Sequence, residues 1–300
     1  DLLGLEPILS AGVIGAAGRD FDVVQASVID VNDGGVVRQG TLVPVVSAGR
    51  GLASVALKAV TLEELLFGGS EFVPDGVPND AVLGDVTGDG VDDLAIAVPF
   101  VTGSPNGAVA LLRGDLTNGF SFVAVDLYLN GAEVDAPTSV EIGDFDADGA
   151  NEIAFASGGD AGVNNDVHVI EFDGVGLVDS GLPAFLVAED SRIVDLASSD
   201  GFFTTVGTGL AILEDTATVG SSRVNVARYA TTDWEFCPLP VDDDDPDAVD
   251  PIDTDGPVSN IYSTGVAVTT RGADRLTVFL AQSVDATPEE WDFVAFTTGT

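Results

Sequence analysis

The chain has 300 residues, of which 45% are hydrophobic, and this combination predicts a folded protein with a large core rather than a disordered chain. Fifty acidic residues against ten basic ones give a formal net charge of −40, which excludes a nucleic-acid-binding surface because the chain repels phosphates. The single cysteine, Cys237, excludes an intrachain disulfide and a cysteine-based zinc cluster.

The first 20 residues form a segment of their own. Its longest apolar stretch, residues 8–18, is too short to cross a bilayer, so we predict no membrane span. We expect the segment to supply a closing strand, or to remain from a repeat lost upstream. Because the chain starts at Asp1 and contains no methionine, we also expect a processed product or a fragment of a longer precursor.

A repeated unit occupies residues 21–300. Five glycines recur at intervals of 52 to 59 residues, at Gly35, Gly90, Gly149, Gly201 and Gly256. Apolar runs before and after each glycine, and two more runs further on, predict four short strands per unit. Such units at this period are typical of β-propeller blades. We therefore predict an all-β propeller of four-stranded blades, with five blades favoured, six or seven left open, and bounds near 21–79, 80–135, 136–188, 189–245 and 246–300.

Two of the five glycines lie in acidic loops, Asp85-Val-Thr-Gly-Asp-Gly-Val-Asp-Asp93 and Asp144-Phe-Asp-Ala-Asp-Gly-Ala-Asn-Glu152. In both loops, oxygen-bearing side chains at positions 1, 3, 5 and 9 surround a glycine at position 6, a spacing that converges hard oxygen ligands on Ca²⁺. The predicted ligands are Asp85, Thr87, Asp89, the Val91 carbonyl and Asp93 in the first loop, and Asp144, Asp146, Asp148, the Ala150 carbonyl and Glu152 in the second.

An EF-hand has a similar beginning, but it requires a bidentate Glu at position 12 and a following helix. Position 12 is Ile96 in the first loop and Phe155 in the second. Short apolar runs closed by turn residues follow both loops, and these predict strands rather than an amphipathic helix. The two loops are therefore not EF-hands.

The segment DVTGDGVDDLAIAVPF at residues 85–100, followed by GAVALL at residues 107–112, resembles the FG-GAP repeats of integrin alpha chains and of many microbial surface proteins. This resemblance implies that each repeat is one blade of a β-propeller and that its loop binds a structural Ca²⁺. The chain departs from the family pattern at Thr87, which replaces an acid, at Glu152, which replaces Asp, and at residues 98–100, which replace a Gly-Ala-Pro-like turn.

The other three glycines lie in loops without a full ligand set. Arg38 occupies position 9 of the first, where a cation argues against a bound metal, and the fourth is one residue too long. The fifth keeps acids only at Asp253 and Asp255, which are weak metal candidates. We therefore predict two Ca²⁺ sites and leave a third open. The acidic, proline-broken run at 241–250 is interpreted as a solvated loop between blades.

Side chains for nucleophilic catalysis are scarce. His168 is the only histidine and lies on a predicted strand, so neither a Ser-His-Asp nor a Cys-His device is predicted, and Cys237 is interpreted as a small apolar residue. We predict no catalytic residue and no cofactor other than Ca²⁺. A carboxylate pair for glycoside chemistry stays open among the 50 acidic residues, because its recognition depends on a separation in space.

These observations favour a non-enzymatic, calcium-stabilised propeller that acts as an adhesion, receptor-binding or assembly module. The alternatives are a polysaccharide-acting lyase or hydrolase that uses the propeller face, and a purely structural coat subunit. The expected partner is a protein or glycan at a cell surface, or neighbouring subunits of an assembly. The excess of carboxylates indicates a halophile, because salt screens their repulsion. We expect an extracellular location, on the surface of a halophilic archaeon or bacterium or on a virion or appendage.

Overall fold

The computed structural model describes residues 8–16, 19–33, 36–48, 54–56, 60–61, 79–98, 106–115, 121–129, 136–157, 166–186, 191–199, 207–216, 222–236, 252–253, 258–268, 275–283 and 291–298. These residues form 22 β-strands in five antiparallel sheets, and no helix occurs among them. The predicted all-β class is confirmed. Consistent with this, the described part of the chain contains no helix that is long and apolar enough to cross a membrane.

The first sheet is built from the N-terminal strands in the order β1-β2-β3-β4, with β5 paired to β3. Its strands are β1 (Ile8–Ala16), β2 (Arg19–Asp33), β3 (Val36–Ala48), β4 (Ser54–Ala56) and β5 (Val60–Thr61).

The second and third sheets carry the two acidic loops, each between the first and second strands of its sheet. The second sheet has the order β6 (Asp80–Gly84), β7 (Asp93–Val98), β8 (Ala108–Asp115) and β9 (Ser121–Leu129). The third has the order β10 (Pro137–Gly143), β11 (Glu152–Ser157), β12 (Asp166–Phe172) and β13 (Leu177–Asp179), with β14 (Phe185–Leu186) paired to β12.

The last two sheets complete the described strands. The fourth has the order β15 (Ser191–Ser199), β16 (Gly209–Thr216), β17 (Ser222–Ala230) and β18 (Asp233–Phe236), with β19 (Ile252–Asp253) paired to β17. The fifth has the order β20 (Val258–Val268), β21 (Arg275–Ser283) and β22 (Trp291–Thr298).

Two features of the sheets differ from the predicted repeat alignment. β1 lies in the first sheet, so that Gly35 falls between the second and third strands of that sheet rather than between the first and second. β19 pairs with β17, so the fourth sheet includes residues 252–253, and Gly256 falls between the fourth and fifth sheets. Both glycines lie outside the described residues, and the number of blades and their bounds stay a prediction.

The second strands of the two loop-bearing sheets form the centre of each sheet. β7 (DLAIAV) and β11 (EIAFAS) are buried over their whole length. In both strands alanine alternates with a larger apolar residue, which is typical of a strand covered on both faces. The first strand β6 instead has an alternating pattern, in which Ala81 and Leu83 are buried and the residues between them are partly exposed.

The contacts divide the chain into two units, each described by itself: Asp1–Ile142 with Ile170–Ser180, and Gly143–Val169 with Gly181–Thr300. In the first unit, the carboxylate of Asp80 on β6 accepts hydrogen bonds from Ser139 Oγ (2.6 Å) and from the Val140 N–H (3.0 Å) on β10. Near the outer strands, Asp126 Oδ2 on β9 accepts from the Leu177 N–H at 2.7 Å. Carboxylates therefore connect neighbouring strands of different sheets within this unit.

The second unit has a core in which Phe145 and Trp234 are the largest side chains. Phe145 is fully buried and Trp234 is 9% exposed. Leu182 and Tyr229 are partly buried and pack against this core. Its other members come from the second and third strands of the third sheet and from the fourth sheet: Ala154, Ala156, Val167, Val169, Ile193, Leu196, Leu210, Ile212 and Ala227.

Candidate metal centre

The loop between β10 and β11, residues 144–151, has the backbone of a ligand-bearing turn. Its fourth and sixth positions, Ala147 and Gly149, have φ values of 65° and 95°. The corresponding positions of the loop between β6 and β7 are Gly88 and Gly90, with φ values of 71° and 82°. Glycine adopts this left-handed region freely, whereas Ala147 stores strain there. The two loops thus share one backbone path, and the second holds it at some cost.

Four carboxylates come together in this second loop, those of Asp144, Asp146, Asp148 and Glu152. One oxygen from each lies within 4.8 Å of the others. Each side chain also accepts one backbone N–H of the loop: Asp144 Oδ2 from Gly149 (3.1 Å), Asp146 Oδ1 from Asp148 (3.1 Å), Asp148 Oδ1 from Ala150 (2.8 Å), and Glu152 Oε2 from Phe145 (2.8 Å).

The electrostatics of the cluster favour a bound cation. Asp144 Oδ1 is buried and accepts no hydrogen bond, although an unpaired buried oxygen is costly. Glu152 is buried as well, and its burial, followed by the charges of the three aspartates, raises its pKa to about 8 against the hydrogen bond from Phe145. Burial also raises the pKa of Asp146, as do the neighbouring carboxylates of Asp148 and Asp144. Hard oxygen donors in this arrangement fit Ca²⁺.

The first loop uses its carboxylates differently. Asp93, at position 9, is fully buried and accepts from Val86 N–H (2.9 Å) and Thr87 N–H (2.7 Å) at Oδ2 and from Gly114 N–H (3.2 Å) at Oδ1. Burial raises the pKa of Asp93, and these backbone hydrogen bonds oppose the rise. Oδ2 at position 9 therefore stabilises the loop itself, and Oδ1 joins it to β8.

The other acids of the first loop also bind its backbone. Asp85 accepts from Asp89 N–H (3.1 Å) and Gly90 N–H (2.9 Å), and Asp89 Oδ1 accepts from Val91 N–H (3.0 Å). With Thr87 at position 3, this loop has acids at three of its four side-chain ligand positions. Within the described residues, only the second loop brings three or more metal-ligating side chains into one cluster.

Of the two weak metal candidates in the fifth loop, only one lies among the described residues. Asp253 is the last residue of β19, where it pairs with Arg223 of β17. Asp255 lies outside the described residues. A third site remains a prediction.

Sequence reasoning missed the residues that hold the second loop from outside. The Thr208 N–H donates to the Asp144 carbonyl at 2.6 Å. Gly207, which precedes it, has a φ of 55°, and a Cβ there would lie 2.4 Å from the Phe145 carbonyl oxygen. Gly143 lies just before the loop, and a Cβ on it would lie 2.6 Å from Thr208 Cγ2. The sequence signal available was the Gly-Asp pair that opens both loops, at 84–85 and 143–144.

Comparison with known proteins places the first loop in a family. The family model of the FG-GAP repeat matches residues 77–112, which include β6, the first loop and β7. Comparison with the curated proteins finds no match.

Two solved structures are similar to the chain at low sequence identity. An exo-1,5-alpha-L-arabinanase from a bovine ruminal metagenomic library is 10% identical with a TM-score of 0.50, over 97% of this chain and 92% of that chain. A Bacillus licheniformis rhamnogalacturonan lyase is 12% identical with a TM-score of 0.38, over 92% of this chain and 58% of that chain. The likeness to the arabinanase shows the fold alone. That fold is a β-propeller, and within it the match to the FG-GAP repeat covers residues 77–112.

Proposed function

We propose that this protein is a calcium-stabilised β-propeller that presents loops for adhesion, receptor binding or assembly and performs no catalysis. The observation that carries the proposal is the cluster of Asp144, Asp146, Asp148 and Glu152, in which four carboxylates meet. A site placed between the first two strands of a sheet supports a structural role for the cation, because its ligands belong to one loop and to the strand that follows.

Ca²⁺ would be held by these four side chains and by the Ala150 carbonyl, and it would neutralise carboxylates that otherwise repel one another. The first loop is proposed as a second and weaker site, with Asp85, Thr87, Asp89, the Val91 carbonyl and Asp93 as ligands. Its weakness follows from the number of backbone N–H groups that its carboxylates already accept.

The surroundings of His168 support a role without catalysis. Its ring stacks on Phe155 at a centroid distance of 5.2 Å and an interplanar angle of 20°. Phe155 is 1% exposed, so the only imidazole in the sequence packs against the core.

The charge of −40 supports a setting of high salt, where carboxylate repulsion is screened. We therefore propose an extracellular location, on a halophilic cell or on a virion or appendage, with a protein, a glycan or neighbouring subunits as partner. If the protein is a structural coat subunit, which this proposal includes, its partners would be the neighbouring subunits of the same assembly.

Calorimetry tests the cation site. Protein stripped with a chelator and titrated with Ca²⁺ in concentrated salt should take up Ca²⁺ saturably, and Asp146→Asn should abolish the uptake at the stronger site. The matched control is Asp173→Asn, which removes the same charge outside both loops and keeps the Oδ1 acceptor for Val175 and Gly176. Absence of uptake, or equal loss in the control, would refute the proposal.

A second function, a polysaccharide hydrolase or lyase, is favoured by the fold shared with an arabinanase over 97% of this chain. The two functions are separated by incubating the protein with 1,5-linked arabinan and with acidic and neutral polysaccharides. We expect neither new reducing ends nor the ultraviolet absorbance of an unsaturated product. Either signal, if it is lost on replacing a carboxylate outside the two loops, would establish the enzyme instead.

A further inference from the structure

We propose that Gly207, Thr208 and Trp234 are positioning residues for the second acidic loop, at 144–152. The affinity of this loop for a cation would then depend on Trp234. In turn, the environment of Trp234 would change when a cation binds. This inference rests on the proposed cation site and extends it to side chains that carry no ligand atom. Below, these three residues are called the clamp.

The backbone part of the clamp acts on the first ligand residue. Thr208 is 2% exposed, and its N–H donates to the carbonyl of Asp144 at 2.6 Å. A Cβ at Gly207 would lie 2.4 Å from the Phe145 carbonyl oxygen and 2.7 Å from that of Asp144. The connection before β16 thus lies directly against the start of the loop, and only glycine fits at that point of contact.

The side-chain part of the clamp acts through Phe145, the residue after the first ligand. Its N–H donates to Glu152 Oε2 at 2.8 Å, and its ring lies 6.1 Å from that of Trp234. Trp234 is itself fixed, because Nε1 donates to the Pro183 carbonyl at 2.9 Å and Tyr229 contacts it edge-on at 5.8 Å. One residue therefore joins the last ligand to a rigid aromatic core.

The physical consequence follows from preorganisation. Four carboxylates that repel one another must be held at fixed positions before a cation can use them, and a loop that is already held loses less entropy on binding. By linkage, if the contact between Phe145 and Trp234 strengthens cation binding, then cation binding strengthens that contact by the same factor. Loosening the contact of Phe145 with Trp234 should therefore weaken cation binding, and cation binding should alter the environment of Trp234.

The first experiment uses Trp291→Phe, which leaves Trp234 as the only tryptophan because the chain has two. Chelator-stripped protein is titrated with CaCl₂ while heat and tryptophan emission are recorded in parallel. We expect the emission of Trp234 to change with the same midpoint as the uptake at the stronger site, and Asp148→Asn to remove both signals. Uptake without any change in emission would overturn the clamp and leave the cation site standing, whereas absence of uptake would overturn both.

The second experiment measures the reverse coupling. Trp234→Ala should raise the Kd for Ca²⁺ at the stronger site by roughly fivefold or more, within the usual range of coupling between sites, and Trp234→Phe should raise it less because a ring is kept. Gly207→Ala, which alters neither ligand nor tryptophan, should also raise it. Leu111→Ala in β8, a fully buried residue of the first unit, controls for general loss of stability. An unchanged Kd in the folded Trp234 and Gly207 variants, or an equal rise in the control, would refute the proposal.

Discussion

At the scale of single residues, position 9 separates the two acidic loops. Asp93 accepts three backbone N–H groups with its two oxygens, whereas Glu152 accepts one and lies in a cluster with three aspartates. The spacing of acids in the sequence predicted both loops. It could not predict this division of roles, because one donor to Asp93 is the N–H of Gly114 on β8, 21 residues away.

A matched pair of substitutions tests the difference between the loops. Asp148→Asn and Asp89→Asn each remove one charge from position 5 and keep an Oδ1 that can accept the N–H two residues on. We expect Asp148→Asn to abolish the stronger Ca²⁺ uptake in calorimetry, and Asp89→Asn to leave it unchanged, because only the second loop gathers four carboxylates. The opposite pattern would assign the stronger site to the first loop.

Asp80 provides a test that is independent of any cation. Burial raises its pKa, while hydrogen bonds from Ser139, Val140 and Ala81 oppose the rise. Because its pKa in the folded chain lies above that in the unfolded chain, the native state holds the proton more tightly. The stability that this group contributes is therefore fully present below about pH 4, the unfolded value, and is lost as pH rises through the folded pKa.

The wild type is compared with Asp80→Asn, whose side chain at position 80 does not titrate. We expect the free energy of unfolding of the wild type, minus that of the variant, to fall as pH rises. Denaturant unfolding in constant high salt measures both. A difference that grows with pH would mean that the three hydrogen bonds outweigh burial and that the pKa is lowered.

At the scale of elements, a glycine before each loop sets how closely neighbouring strands approach. A Cβ at Gly84, the last residue of β6, would lie 2.8 Å from Ile142 Cγ2 on β10. The equivalent Gly143 lies against Thr208. The repeated Gly-Asp pair is visible in the sequence, but the side chain that each glycine contacts is not, because it lies more than fifty residues away.

A double-mutant cycle tests this close approach. Gly84→Ala should lower the free energy of unfolding by about 1–3 kcal/mol, the usual cost of overpacking. Ile142→Ala removes the methyl groups that the new Cβ would meet. The double variant should therefore lose less than the sum of the two single losses, as measured by denaturant unfolding. Additive losses would indicate that Gly84 is required for some other reason than contact with Ile142.

The strands themselves were predictable to different degrees. In the second to fourth sheets, apolar runs of the repeated unit at 94–98, 108–112, 167–172 and 224–229 coincide with β7, β8, β12 and β17. For the first sheet the pattern left residues 1–20 outside the repeat, as a closing strand or as the remains of a lost unit, and the structure places β1 beside β2 in this sheet. Residues 8–16 mix large and small side chains without a period of two, so pairing with β2, rather than the sequence pattern, shows which sheet they join.

At the scale of the whole molecule, we expect the charge of −40 to govern the dependence of stability on salt. Repulsion between carboxylates is screened over about 3 Å at 1 M salt against about 10 Å at 0.1 M. We expect the melting temperature of the chelator-treated protein to rise with NaCl, with much of the increase between these two concentrations. Excess Ca²⁺ should reduce the dependence by neutralising the second loop. A melting temperature that is the same in dilute buffer and in brine would contradict the interpretation as a halophilic protein.

The hydrogen bonds of Asp93 affect the order in which the two acidic loops can form during folding. A loop that its own backbone N–H groups hold in place can close as soon as β6, β7 and β8 have been synthesised, whatever the ionic medium. The loop that opens with Asp144 brings four carboxyl groups together, and on the proposed function it would reach its final form only when a divalent cation is bound. If the proposed cation site is correct, we therefore expect the second sheet to be complete early in biogenesis and the third to gain its full rigidity only where calcium is supplied.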